Sequence, residues 1–354
     1  RRPRARISHV EIVVMKPPIF GLPGSQERKT RVGWFELFYD LVVVASVSYG
    51  SNLFSTRPSW AMGSWLFLSL VLLMTFWLLT MLSHNLFPGE DLIRRLLVVV
   101  QMVCLVTASL SLGRDHEGLS DEVGFAALAL AFAALSAVYA RCWRQRRPES
   151  FAARVLTVST GGAAMIMVVG LVSARFGGST LEPFLLWIVG LGVACAILPL
   201  LFIVLNQHTS RKVIDSEHLS ERMGQLVLIV LGESFVSLIF DLSGLTSIPN
   251  PLYFVIDFAV VFSIWTIYFT GVLPCGVPHR AWRLRIWILL HCLFMFGAIA
   301  AAGGFAALTV LPFGTDPGRE GFWTPLPLFY VMVSLMGLSI LARRHRVAWH
   351  LDAA

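Results

Sequence analysis

Apolar residues in this chain fall in long blocks, unlike the alternation of a half-buried strand or the one-sided stripe of a soluble helix. Ten blocks follow one another, over residues 34–54, 63–82, 92–112, 123–142, 155–174, 184–205, 223–240, 252–273, 286–308 and 326–342. A helix of about twenty residues crosses roughly 30 Å of hydrocarbon, so each block is predicted to be a transmembrane α-helix. The gaps hold Pro58, Pro88-Gly89, Pro148, Pro183, Pro249 and Pro251, Pro274 and Pro278, and Pro317. Proline there removes an N–H donor and restricts the backbone where a helix must end. The expected fold is all-α, a polytopic transmembrane helix bundle of about ten spans across 32–342.

Charge then orients the blocks. Of 28 Lys and Arg residues, 24 lie before the first block, after the last, or in the even-numbered connections and their flanks. Arg57, Arg114, Arg175 and Arg319 are the four in odd-numbered connections. Loops rich in Lys and Arg stay on the cytoplasmic side, which predicts an even number of spans in the cell membrane with both termini cytoplasmic. Residues 1–31 combine eight of these charges with Pro3, Pro17, Pro18 and Pro23. They read as a partly disordered cytoplasmic arm able to touch anionic lipid, and 343–354 as a short cytoplasmic tail. The opening Arg1-Arg2-Pro3-Arg4 lacks an initiator Met and reads as a fragment or processed form, with no secretory signal pattern following it.

Composition agrees. The chain is 56% hydrophobic and 14% charged, against roughly 45–50% and about 25% in soluble domains. A net charge of +7 would suit nucleic acid, but its confinement to alternate connections argues against that partner. The partners expected are membrane lipid, a small solute or ion, and further copies of the chain. Cys104, Cys142, Cys195, Cys275 and Cys292 are scattered, with no Cys-x-x-Cys and no local His cluster, so no metal site and no cofactor is expected.

Ionisable residues inside apolar blocks carry the functional signal, because a charge at mid-helix costs about 2.5–3.5 kcal/mol on the insertion scale. Glu233 lies deep in the seventh block, within Leu231-Gly232-Glu233-Ser234. Gly232 is expected to admit a neighbouring backbone and Ser234 to offer a hydroxyl. Arg222, eleven residues earlier, is roughly 16 Å away along the helix, so Glu233 needs a partner on another span. A proton carrier and a helix-packing group both fit it. Glu36 and Asp40 stand four apart in the first block and share a face. Arg94, Arg95, Arg283 and Arg285 are the cations expected to hold them, and an Arg–carboxylate lock competes with a cation or proton entry site.

Asp257 is shallow in the eighth block, while Gln101 and His291 lie inside the third and ninth. For His291, a neutral ring bonding between helices is favoured over titration. Asp215 to Arg222, with His218, Ser220 and Glu221, leads into the seventh block, and Ser220 is the expected cap. His218 and Glu221 form no His-Glu-x-x-His motif, and Gly190-Leu191-Gly192 without a preceding strand reads as helix packing. Arg95 and Gln101 match Arg285 and His291 in spacing. Blocks 1–4 and 7–10 would then be parallel repeats, with substrate bound between them.

Two acidic segments carry a resemblance. Trp34-Phe35-Glu36-Leu37-Phe38-Tyr39-Asp40-Leu41-Val42, and His218-Leu219-Ser220-Glu221-Arg222-Met223-Gly224 followed by Ile229-Val230-Leu231-Gly232-Glu233-Ser234, resemble the bacterial low temperature requirement protein A family. Asp91 to Arg95 and His291 extend the likeness over most of 30–310. The family often has an Asp after an aromatic pair in the eighth span, where this chain has Thr270 after Tyr268-Phe269. The resemblance implies a membrane protein and supplies no substrate or reaction.

Three functions remain open at this point. A transporter or channel-like protein for a small solute or ion, proton-coupled through Glu233, leads. A membrane-embedded enzyme acting on a lipid or prenyl substrate is the runner-up, using a cytoplasmic charged cluster of Glu36, Asp40, His218 and Glu221 with Arg94, Arg95, Arg222 and Arg285. A structural or sensory protein is the third. The topology has a direct test: single cysteines in a Cys-free background at 1–30 and 343–354 should resist impermeant maleimide in intact cells, and external labelling of either end would overturn the predicted parity or orientation.

Overall fold

The computed structural model describes residues 33–56, 59–86, 91–111, 121–144, 150–176, 188–198, 216–243, 248–278, 280–316, 318 and 320–352. The basic arm 1–31 lies outside these residues. Among those described there is no strand. The long helices are α1 (Trp34–Thr56), α2 (Trp60–Leu86), α3 (Leu92–Ser111), α4 (Asp121–Arg144) and α5 (Ser150–Phe176). They continue as α6 (Ile188–Leu198), α7 (Ser216–Leu242), α8 (Pro251–Ile267), α9 (Ala281–Val310) and α10 (Pro325–Asp352). Each overlies one apolar block.

Six of these helices, α2, α3, α4, α5, α8 with its extension to Cys275, and α9, are long and apolar enough to cross a membrane. The other four fall short of that measure. The apolar parts of α6 and α10 are too short, and α1 and α7 carry the acids, Arg222 and several hydroxyls in their sequences.

Local chemistry explains the helix starts. The Asp91 Oδ1 accepts the Arg94 N–H at 2.8 Å and caps α3. The Ser59 hydroxyl accepts the Met62 N–H at 3.2 Å ahead of α2. Asn250 accepts the Tyr253 N–H ahead of α8, whose first turn holds Pro251, where a missing donor does no harm. Pro251 thus begins a helix and does not merely interrupt one. Two further expectations change. The seventh helix begins at Ser216, so Ser220 lies inside it and caps nothing. The last helix runs on to Asp352, so residues 343–352 continue a helix where a short tail was expected.

The burial pattern is that of a protein solvated by apolar medium. The buried stripe of α3 includes Arg94, Val98, Gln101, Leu105 and Ala108. Its opposite face exposes Ile93, Leu96, Val99, Val103, Val106 and Leu110. Polar groups turn inward and aliphatic ones outward, the inverse of a soluble amphipathic helix. The same holds for α8, which exposes Leu252, Val255, Ile256, Phe262 and Trp265.

At the centre, α1 packs on α2, α3, α7 and α9, and α9 packs on α7, α8 and α10. The α3–α4–α5 layers flank them, and α6 is set against α5 where Gly192 meets Met167 and Cys195 meets Gly162. A Cβ on Gly192 would reach within 2.1 Å of the Met167 methyl, so this glycine packs as expected, whereas Gly190 faces open space.

The tightest backbone contact joins α9 to α10. A Cβ on Gly297 would lie 2.7 Å from the Pro327 carbonyl oxygen and 3.0 Å from the Val331 nitrogen. Backbone cannot rotate away as a side chain can. Gly297→Ala should therefore lower thermal stability in detergent by about 1–3 kcal/mol, the usual range for overpacking. Gly232→Ala is the control: nothing lies within 4 Å of its Cβ position, and better helix propensity should make it neutral or stabilising by up to about 1 kcal/mol. Equal melting temperatures for Gly297→Ala and the parent would show that the two helices can separate freely.

Candidate functional site

Two helices bring the ionisable residues together. Asp40 of α1 and Arg222 of α7 are 0% and 2% exposed and form an ion pair, with Nη2 2.7 Å from Oδ1. One turn nearer the helix starts, His218 Nε2 and Arg222 Nη1 each lie 3.8 Å from Glu36 Oε2. Both rungs join residues 182 apart in sequence. Side chains four apart stack on one helix face, so two rungs with one offset mean that α1 and α7 run in the same direction.

The Trp77 indole N–H of α2 donates to the same Asp40 Oδ1 at 2.6 Å, and the Arg222 guanidinium sits 5.8 Å from the Trp77 ring centroid. The pair is thus held by a charge-assisted hydrogen bond and a cation–π contact. Among the described residues Asp40 Oδ2 and Arg222 Nε and Nη1 make no hydrogen bond, although Nη1 faces Glu36.

This arrangement differs from the expected one. Glu36 and Asp40 are held by Arg222 and His218 of α7, not by cations of the third and ninth helices. Arg94 is nevertheless in electrostatic reach of Glu36 and donates to the Ser83 hydroxyl at 3.2 Å. His84 completes the group: its Nδ1 is 3.0 Å from the Thr80 carbonyl, and it senses Arg94, Arg222 and His218. Trp77 did not stand out in the sequence because it sits in an otherwise apolar block, and His84 because it falls in the polar stretch just past that block's end. Arg95 and Glu221 are exposed and point away from the cluster, while half-buried Arg285 begins α9 with a guanidinium Nε that makes no hydrogen bond.

Beyond the cluster, the α1–α7 seam is closed by Val43, Val44 and Val47 on one side and Leu226, Val227 and Val230 on the other, all buried. Past these valines stands Glu233, half-buried and facing the Ser48 hydroxyl of α1. Ser48 itself donates to the Val44 carbonyl at 2.9 Å. Gly232 is exposed with nothing packed on it, which overturns its expected role in close helix approach. The hydroxyl near Glu233 comes from α1, not from Ser234.

Gln101 and His291 occupy interior joints. Gln101 Nε2 donates to the Tyr39 hydroxyl at 2.7 Å and lies 3.1 Å from Thr80 Oγ1, beside Asp40. His291 Nδ1 is 2.7 Å from the Trp287 carbonyl, and its Nε2 is 3.0 Å from the Tyr268 hydroxyl. A carbonyl only accepts, so Nδ1 carries the proton and Nε2 accepts from Tyr268. Tyr268 opens a π-helical turn, Tyr268–Val272, a wider winding often found at working positions.

Outside the spans, the Arg94 N–H and then the Arg141 guanidinium hold the Asp91 carboxyl below its usual range. That contribution is present above the ordinary carboxylate range and fades as pH falls through the lowered value. Among the described residues no group of His, Cys, Asp and Glu is placed to hold a metal ion.

A family model described as bacterial low temperature requirement A protein (LtrA) matches residues 31–353. No curated protein and no solved structure matches the chain.

The buried pair generates a double-mutant test. Asp40→Asn and Arg222→Gln each leave a charge without its counter-charge, which should cost about 3–5 kcal/mol of stability in detergent. The double variant removes both charges and should lose clearly less than the sum of the two. Strict additivity of the three melting shifts would show that the pair contributes no coupling.

Proposed function

The chain belongs to the bacterial low temperature requirement A protein family, and from that premise we propose that it is a multi-pass membrane transporter or channel-like protein for a small solute or ion. In this reading protons move with the substrate along the α1–α7 seam, and Glu233 is the coupling group. One observation carries it: the seam holds two polar stations, Glu36–His218–Asp40–Arg222 and Ser48–Glu233, separated by buried valines and Leu226. The stretch between the two stations is mostly apolar, with the buried Gln225 Oε1 as the polar group α7 brings to it, and in this reading a proton crosses when the helices rearrange. That is what alternating access requires.

The proposed topology is ten spans in the cell membrane with both termini cytoplasmic, so that the Glu36 end opens to the cytoplasm. The 24 to 4 division of positive charge supports it. Helices α1–α4 and α7–α10 are proposed as parallel repeats. Glu36 and Asp40 stand as far into α1 as His218 and Arg222 stand into α7. In each half, a polar residue early in the third helix also bonds to a hydroxyl late in the second: Gln101 to Thr80, and His291 to Tyr268. The two halves thus bring opposite charges to equivalent places and meet at the Asp40–Arg222 pair.

Proteoliposomes loaded with a pH-sensitive dye test the reading, with sodium, potassium, chloride and small carboxylates offered outside in turn. The parent should change internal pH with at least one of them, and Glu233→Gln should abolish that change while still folding. Wild-type pH changes in Glu233→Gln across pH 5 to 8 would remove the coupling role. Flux no greater than in protein-free vesicles for every solute would remove those solutes as substrates, and with them the present form of the proposal.

A further inference from the structure

The described part of α8 holds a second carboxyl that the seam does not use. Asp257 is buried, and its Oδ1 makes no hydrogen bond. It lies on one stripe with Val261, Ile264, Tyr268 and Val272, at spacings of four, three, four and four residues. That stripe faces the bundle, chiefly α9 and to a lesser extent α7. Asp257 is the one charged residue of α8, and the helix is turned to bury it and to expose Leu252, Val255, Ile256 and Phe262.

The charged neighbourhood can be followed helix by helix. From Cys292 to its end at Val310, α9 carries no further ionisable residue; His291 and Cys292 lie far along it, near Tyr268. On α7 the nearest ionisable residue with a described side chain is Glu233, which faces Ser48 of α1. The part of α10 that meets the π-turn carries only Tyr330 before Arg343. No charged side chain among the described residues comes near enough to influence Asp257.

A bare carboxylate there costs several kcal/mol unless a cation accompanies it. A metal ion would need several oxygen ligands, and the stripe supplies aliphatic side chains instead. Asn250, two turns away, already spends its oxygen on the Tyr253 N–H. A proton needs one oxygen and no other ligand.

We propose that Asp257 is a proton-binding carboxyl of the bundle, separate from the α1–α7 seam and set toward the opposite end of the helices from the Glu36 station. It stands seventh in α8, roughly 9 Å from that helix's start, whereas Glu36 stands third in α1 at the basic end. Its proton therefore exchanges with the other side of the membrane, whatever becomes of the seam.

Infrared spectroscopy of the full chain in lipid decides this. The difference between the parent and Asp257→Asn at neutral pH should show loss of one protonated-carboxyl C=O band, which shifts in D2O. Ionised carboxylate bands in that difference would overturn the proposal. Should Asp257→Asn not fold, dicyclohexylcarbodiimide on the parent serves instead. The carboxyl proton passes to a carbodiimide nitrogen as the carboxyl oxygen bonds to the central carbon. The O-acylisourea then rearranges to an N-acylurea and nothing leaves, so the peptide gains the mass of one whole reagent. An adduct on Asp257 supports the assignment. No adduct on Asp257, or an adduct suppressed by sodium but not choline at fixed pH, overturns it, the latter by giving the site to a metal ion. A failed flux assay for Glu233 would leave either result standing.

Discussion

The buried ion pair of Asp40 and Arg222 organises the centre of this bundle. Two charges at 0% and 2% exposure are tolerable only with each other and with further hydrogen bonds, since the cost of taking each from water exceeds what a loose contact returns. Trp77 therefore has to present its N–H, and α2 has to approach closely enough to do so. Glu36 and His218 must fall one turn away. Once these requirements are met, α1 and α7 have one register and one relative direction. The neighbours of α1, namely α2, α3 and α9, are placed around it, with the Ser51 hydroxyl donating to the Ile299 carbonyl at 2.8 Å.

The same constraint has a second face. Where the surroundings are as apolar as leucine, burying leucine gains little, and helices associate through close packing and interior hydrogen bonds. That is why Gly297 presses on the backbone of α10 and Gly304 on Thr324. It is also why the interior hydrogen bonds concentrate on a few residues. Tyr39 gathers Gln101 and Thr80, Tyr139 donates to the Leu79 carbonyl at 2.6 Å, and His291 joins Tyr268 to its own helix. Each satisfies a polar group that lipid could not.

Much of this was legible from one dimension. The length of an apolar block says whether it can span, and a helix needs no distant partner to satisfy its backbone, so each block holds a helix among the described residues, although the seventh and last helices extend well past their blocks. Glu36, Asp40, Gln101 and His291 stood out because lipid makes any polar interior residue anomalous, and each of them is buried or nearly so. Failures cluster where a neighbour decides. Gly232 looked like a packing glycine and faces outward. Ser220 looked like a cap, yet the helix starts a turn earlier. Arg222 belongs by position to the charged cluster at the helix starts, but its own helix offers no acid in reach, and its partner Asp40 lies across on α1.

The sequence by itself determined the helical class, the inverted polarity of the helices and the set of residues too polar to face lipid, because these follow from hydropathy and helix geometry alone. Tertiary structure decided which acid meets which base, and it made Trp77 of an apolar block and His84 just beyond that block members of the cluster. It also left Asp257 buried with no counter-charge among the described residues. Pairing depends on how two helices rotate and slide against each other, and no local spacing along either helix encodes that relation.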